Sequence, residues 1–302
     1  MPAPELTASL TTWYRAHARD LPWRREQFHR RYGGWGVLVS ELMLQQTPVA
    51  RVIPSLHSWL ERWPTPAALA AETPAEAVRQ WANLGYPRRA LRLHHAAVQI
   101  CDRHGGAVPA DIDDLLALDG VGAYTARAVA VFAYGRRHPV VDTNTRRVLA
   151  RALDARSQPG APSPRDLDRM SAILPADEED AALLNAAAME LGAVICTARS
   201  ARCDSCPIAS ACAWRAAGFP DTGDTRRRQP RYEGSDRQAR GAVLAVLREA
   251  TSHEIAQDDV IPDWPDAGQR NRAIGSLIAD GLVEAADGAL RLPGPRISPA
   301  AR

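Results

Sequence analysis

The chain has 302 residues, 46% of them hydrophobic and only 6% aromatic, enough for one large or two unequal domains. Ala, Leu and Arg recur throughout, all strong helix formers, and predict a mostly α-helical protein. A formal net charge of +2 excludes a surface that is basic all over, so a nucleic-acid face has to arise from the distribution of charge. Lysine is absent and all 37 basic residues are arginine, so no side-chain amine can form a Schiff base. No apolar run approaches the roughly 20 residues of a membrane span, and the first residues lack a secretory pattern. A soluble, cytoplasmic protein is expected.

In chain order, the first distinctive segment is Trp35-Gly-Val-Leu-Val-Ser-Glu41-Leu-Met-Leu-Gln45-Gln46-Thr-Pro48. Trp35, Leu38, Val39, Leu42 and Met43 follow helical spacing and predict a core stripe. Glu41 and Gln45 fall on a neighbouring face before Pro48 stops the helix. Further on, Leu84-Gly-Tyr86-Pro87 reads as a turn, followed by Arg88, Arg89 and Arg92, one turn apart and suited to phosphate contacts. Cys101, alone in an amphipathic segment, reads as a buried apolar residue.

An amphipathic segment from Ile112 leads into Leu118-Asp-Gly120-Val-Gly122-Ala-Tyr124, and a small-residue helix runs on to Tyr134. This has the form of a helix-hairpin-helix. Gly120 and Gly122 permit a tight turn whose backbone N–H groups, at a helix start, can face a phosphate without reading sequence. Pro139-Val-Val then delivers Asp142 to the start of another helix, ahead of Thr143 and Asn144. At such a position the ordinary role of Asp is to cap the helix.

The most specific pattern is Cys196-x6-Cys203-x2-Cys206-x5-Cys212. Such density in a cytosolic protein indicates a metal rather than disulfides, zinc or a [4Fe–4S] cluster. Only Cys203 and Cys206 form the short knuckle that structural zinc sites use twice, so the spacing favours the cluster. Residues 221–235, rich in Pro, Gly and charge, read as an Arg-rich linker carrying Arg226, Arg227, Arg228 and Arg231. Residues 236–302 read as a small separate unit of winged-helix type with a frayed tail: helices over 237–250, 256–264 and 267–281, then a hairpin at Asp287-Gly288. The competing reading is a helical appendage that only packs on the rest.

Hairpin, Asp and cysteine loop in this order resemble the helix-hairpin-helix DNA glycosylases related to endonuclease III, over about residues 5–220. The segment from Trp35 to Pro48, with Leu-Pro-Trp23, Leu84-Gly-Tyr86 and Asp142-x-Asn144, is similar to the MutY-type adenine glycosylases. Pro87, where relatives usually have a second Tyr, and Thr143, where many have Gly, depart from that pattern. The resemblance implies a helix-hairpin-helix glycosylase domain over 1–220, with two helical lobes and a [4Fe–4S] loop at 196–212 held by Cys196, Cys203, Cys206 and Cys212. It implies that the chain removes adenine mispaired with 8-oxoguanine or guanine in double-stranded DNA, as a monomer.

Losing adenine requires protonation of the base and stabilisation of an oxocarbenium-like sugar. By resemblance Glu41 is the acid at adenine N7, its proton retained by burial, and Asp142 is the ionised partner of the sugar cation, with Tyr124 and Asn144 positioning them. Gln45, Gln46 and Tyr86 occupy the gap left by the flipped base, and Arg88, Arg89, Gly120 and Gly122 hold phosphates. Family members with a lyase step carry Lys where this chain has Tyr124, so a monofunctional enzyme is expected. Arg199 and Arg202 are further expected DNA contacts. Many relatives carry an additional C-terminal domain that contacts 8-oxoguanine. The stretch after Ser235 is too short for it, so any 8-oxoguanine preference is expected to reside in residues 5–220. Two other readings remain: a thymine or uracil mismatch glycosylase of the same superfamily, and a non-catalytic iron–sulfur DNA-binding protein.

Overall fold

The computed structural model describes residues 3–221, 231–250 and 254–294. Arg226, Arg227 and Arg228 of the expected linker lie outside the described residues. The chain folds as two compact units, each assembled from separate stretches of sequence. Among the described residues no helix is long and apolar enough to cross a membrane.

The first unit takes Met1–Val37, Ala110–Leu116 and Val121–Arg227. Its helices Ala3–His17, Thr143–Asp154, Pro164–Ile173 and Glu178–Val194 share a core that includes Leu10, Val148, Met170, Leu184, Leu191 and Ile195. The central helix Glu178–Val194 begins where the Asp177 side chain accepts the Asp180 N–H, and its first turn carries Glu178, Glu179 and Asp180, which complement the helix dipole. Ala181, Leu184, Ala188 and Leu191 then recur at helical spacing and are buried. On the same helix Glu190 is fully buried. Arg19 and Arg24 reach its carboxylate at 2.7 and 2.8 Å. Burial pushes the Glu190 carboxyl up, but the hydrogen bonds from the two arginines outweigh it and hold the group at about 2.

The second unit takes Leu38–Pro109, Ala117–Gly120 and Arg228–Arg302. Helix Glu26–Leu44 bends at Gly33, whose φ of +49° only glycine adopts readily, and its C-terminal part enters this unit. Helices Val49–Arg62, Pro66–Ala70, Pro74–Trp81 and Arg88–His104 follow, two of them started by Thr65 and Thr73 side-chain caps with Pro at the first turn. Trp59, Trp63 and Trp81 meet edge to face, centroids 4.6 and 5.5 Å apart, and none is more than 1% exposed.

The C-terminal stretch has helices Asp236–Glu249 and Ala267–Ala279 and a three-stranded antiparallel sheet whose middle strand is Ala289–Arg291, flanked by Ile255–Ala256 and Glu284–Ala286. The hairpin turns at Asp287 and Gly288, both at positive φ, as an Asp-Gly hairpin turn demands. The helix expected over 256–264 is absent. Residues 257–259 form a short 3₁₀ turn, because Pro262 and Pro265 cannot sit inside a helix and Ile261 takes a positive φ. The stretch packs against its own unit: Arg248 Nε donates to the Val78 carbonyl at 3.0 Å, and Asp280 pairs with Arg88 at 3.2 Å and Arg240 at 2.5 Å. Burial lowers the Arg248 guanidinium to about 10, as expected of a side chain inserted into a packed surface.

Candidate active site and cysteine cavity

In the first unit, Asp142 is the N-cap of helix Thr143–Asp154. One carboxylate oxygen accepts the Thr145 N–H at 2.7 Å and the other accepts Asn144 Nδ2 at 2.8 Å. The capping role and a chemical role are therefore compatible, since the cap fixes the carboxylate while the residue stays partly exposed. Asn144 is oriented in turn by Arg147, whose Nη2 donates to Asn144 Oδ1 at 2.8 Å and to the Gly192 carbonyl at 2.5 Å. Arg147 Nε donates to the Cys196 carbonyl at 2.7 Å. A side chain at position 192 would meet the Asn144 backbone oxygen at 2.7 Å, so only glycine permits this approach. The extended stretch ahead of Asp142 is held by the fully buried Asn185, which accepts the Val140 N–H at 2.7 Å and donates to the His138 carbonyl at 3.0 Å. Tyr124, at the start of helix Ala123–Tyr134, is half-buried and packs on the Ala128, Val131 and Val140 cluster.

Cys196, Cys203, Cys206 and Cys212 line one cavity with Val148, Arg151, Leu191, Ile195, Ile208 and Trp214. Among the described residues no group of three or more His, Cys, Asp or Glu is arranged to hold a single metal ion. The four thiols nevertheless act on one another: burial first, then the sulfurs of Cys196, Cys212 and Cys203, push the Cys206 thiol up to about 11, against the Ile208 N–H that lowers it. Four cysteines on one cavity wall supply the soft sulfur donors that a metal or iron–sulfur centre takes, so the residues present fit such a group. Arg151 closes the wall, 4% exposed, with Nη1 at 3.3 Å from Cys196 Sγ and its guanidinium 4.6 Å from the Trp214 ring. Arg199 and Arg202 of the loop are exposed, and Arg202 also donates to the Val194 carbonyl.

In the second unit, Glu41 lies on helix Glu26–Leu44 and is 6% exposed. The expected stripe is too narrow: Val37 and Ser40 are buried as fully as Leu38 and Leu42, so this part of the helix is enclosed all round and Glu41 is not a solvated surface acid. The helix ends in a turn where Gln46 has φ +56° and is exposed, with Gln45 half-buried. The Tyr86 turn has φ +90° at Gly85 and +48° at Tyr86, whose side chain is 49% exposed.

Arg89 corrects an expectation. It is 5% exposed and cannot grip a phosphate, because its guanidinium is engaged inside the unit with the carbonyls of Leu42, Met43, Gln45 and Gly85 and the Thr47 hydroxyl. Arg88 is exposed but paired with Asp280, and Arg92 is exposed. Cys101, expected to be buried, is half-buried, enough for burial to push its thiol up.

Of the two hairpin glycines only Gly120 needs its lack of a side chain for conformation: φ is +80°, and a Cβ would meet Arg92 Cβ at 2.7 Å. Gly122 is extended and is the N-cap of helix Ala123–Tyr134 with no side-chain cap, and a Cβ there would meet nothing. Arg147, Arg151, Asn185 and Glu190 were not legible as site residues. On a linear sequence, a buried arginine or glutamate on a helix looks like a solvated charge, and only its partners, 45 or more positions away in most of these bonds, reveal it.

Residues 39–170 match the model of the HhH-GPD superfamily base excision DNA repair proteins. The chain is 54% identical over 288 residues to the adenine DNA glycosylase of Mycolicibacterium smegmatis, covering 94% of this chain and 95% of that one. It is 48% identical to that of Mycobacterium tuberculosis H37Rv, covering 97% and 98%. A solved thermostable thymine-DNA glycosylase shares the fold, with a TM-score of 0.64 at 22% identity over 71% of this chain and 97% of that one. With a full-length relative this similar, the chain belongs to the adenine DNA glycosylase family of the helix-hairpin-helix base excision repair proteins.

Proposed function

We propose that the protein excises adenine mispaired with 8-oxoguanine or guanine from double-stranded DNA, acting as a monomer that flips the base and hydrolyses its N-glycosidic bond. The observation that carries this reading is the near-full-length likeness to proteins named adenine DNA glycosylase. The geometry supports it in each unit separately. In one, Asp142 is fixed by a helix N-terminus and by Asn144, as a carboxylate that stabilises a developing sugar cation has to be. In the other, Glu41 is withdrawn from water on an enclosed helix, as suits an acid that delivers a proton to adenine N7. Tyr124 in place of a hairpin lysine supports hydrolysis without strand cleavage.

Cys196, Cys203, Cys206 and Cys212 are the residues that would hold a [4Fe–4S] cluster through their thiolates. When bound, the cluster supplies structural support to the loop and takes no part in bond cleavage. The loop carries Arg199 and Arg202 to the DNA, and the hairpin turn at Gly120 and Gly122 supplies backbone N–H groups. The C-terminal stretch aids duplex binding through phosphate contacts of its arginines rather than reading the lesion, while Arg270, which donates to the carbonyls of Val260 and Gln257, is taken up by the fold. Preference for 8-oxoguanine accordingly resides in residues 5–220.

The test is base release from duplexes carrying A opposite 8-oxoguanine, A opposite G, T opposite G, or U. Release of adenine alone supports the reading. Release of thymine or uracil supports the mismatch glycosylase suggested by the shared fold, and no release from any duplex supports a non-catalytic DNA-binding protein.

A further inference from the structure

Arg89 is an enclosed cation with no carboxylate partner among the described residues. Its Nη1 donates to the carbonyls of Leu42, Met43 and Gln45 at 2.8, 3.0 and 2.6 Å, and its Nη2 donates to Thr47 Oγ1 and the Gly85 carbonyl, both at 2.9 Å. The guanidinium also lies 5.2 Å from the Trp81 ring and 5.3 Å from the Tyr86 ring. Burial lowers it to about 10, still charged at neutral pH. Enclosing a cation among neutral oxygens is costly, so the arrangement calls for a reason beyond filling space.

The acceptors supply one. Leu42 and Met43 belong to the last turn of helix Glu26–Leu44, whose carbonyls have no partners within the helix and carry the negative end of its dipole. Gln45 and Thr47 flank Gln46, and Gly85 precedes Tyr86, so one planar fork spans two turns some forty residues apart in sequence, each with a non-glycine residue at positive φ. Such backbone persists only where its surroundings over-determine it. Both turns present exposed side chains, Gln46 and Tyr86.

We propose that Arg89 is a positioning residue that locks the Gln45–Thr47 turn and the Gly85–Tyr86 turn into one rigid ledge, so that Gln46 and Tyr86 together displace the mispaired base from the stack. This rests on the reading of both turns as facing DNA. Lysine cannot replace it, because a compact charge with three donors cannot reach the acceptors of both turns at once, which the guanidinium serves through Nε, Nη1 and Nη2.

The test uses the full chain and a duplex with 2-aminopurine, whose fluorescence rises on unstacking, in place of the mispaired adenine. Arg89→Lys is expected to bind duplex within about threefold of the parent while extruding the base at least about tenfold more slowly, and in the Tyr86→Ala background to slow it by less than about twofold further. Thr47→Val, which removes one acceptor and keeps the arginine, should shift extrusion the same way by about threefold, and carries the same comparison if Arg89→Lys does not fold. A slowdown that multiplies in full with that of Tyr86→Ala overturns the positioning role alone. If Tyr86→Ala and Gln46→Ala both leave extrusion unchanged, the DNA-facing reading fails and the proposal falls with it.

Discussion

Replacing Arg147 by leucine removes the link between Asn144 and the cysteine loop while keeping the aliphatic bulk of the side chain. Arg147 is 4% exposed, and its loss strands three acceptors, the carbonyls of Gly192 and Cys196 and Oδ1 of Asn144. At about 1–1.5 kcal/mol for each polar group left unsatisfied, the expected destabilisation is about 4 kcal/mol, within the range for breaking a buried charged network. At about 1.6 °C per kcal/mol, from an unfolding entropy of about 2.1 cal/mol/K per residue over 302 residues, the thermal midpoint should fall by roughly 6 °C. Asn144 then loses the bond that aims its amide at Asp142, so single-turnover base release, measured well below the lowered midpoint, should slow by about tenfold to a hundredfold. If Arg147 acts through Asn144, adding Arg147→Leu to Asn144→Ala should cost little further rate, although stability keeps falling. A destabilised Arg147→Leu enzyme that releases adenine at the parent rate would show that Arg147 does not act through Asn144.

Asp142→Asn is expected to bind duplex normally and to lose base release by a factor of about a thousand, measured by gel shift and single-turnover kinetics on the same preparation. Stability should fall in acid: the folded Glu190 group titrates at about 2, below its unfolded value of 4.5, so its contribution of about 3 kcal/mol is present above pH 4.5 and lost between 4.5 and 2. Denaturant midpoints across that window should drop for the parent and be flatter for Glu190→Gln. The product should be an abasic site in an unbroken strand, and a borohydride-trapped complex that maps anywhere except the N-terminal amine would contradict the hydrolytic reading. Protein purified without oxygen should be brown, with broad absorption near about 400 nm, a general property of iron–sulfur clusters. Cys203→Ser should lose the colour and weaken duplex binding, whereas colourless protein with one zinc per chain would overturn the cluster.

What was legible in the sequence followed local rules. The helical spacing from Trp35 to Met43, the Asp-Gly hairpin at 287–288 and the helix start at Asp142 each depend on a few neighbouring residues, and each is found where its pattern indicates. What was not legible depends on partners distant in sequence. Arg89 shares its spacing with Arg88 and Arg92, yet it faces the end of a helix more than forty residues earlier, and only the packing of Trp81 and Tyr86 around it separates the buried arginine from the exposed ones. Glu190 and Asn185 sit in an alanine-rich helix whose polar residues suggest a wet face, but the helix is central to its unit. The helix expected over 256–264 is absent for a local reason, since Pro262 lies within that stretch and Pro265 directly after it.

If Glu41 gives its proton to the adenine that is released, Glu41→Gln, nearly the same shape, removes that proton and little else. The direct measurement is single-turnover release of adenine opposite 8-oxoguanine by parent and Glu41→Gln, with duplex affinity determined alongside. Affinity is expected to stay within about threefold and release to slow by at least about a thousandfold. Release by Glu41→Gln at near the parent rate would contradict proton transfer from Glu41.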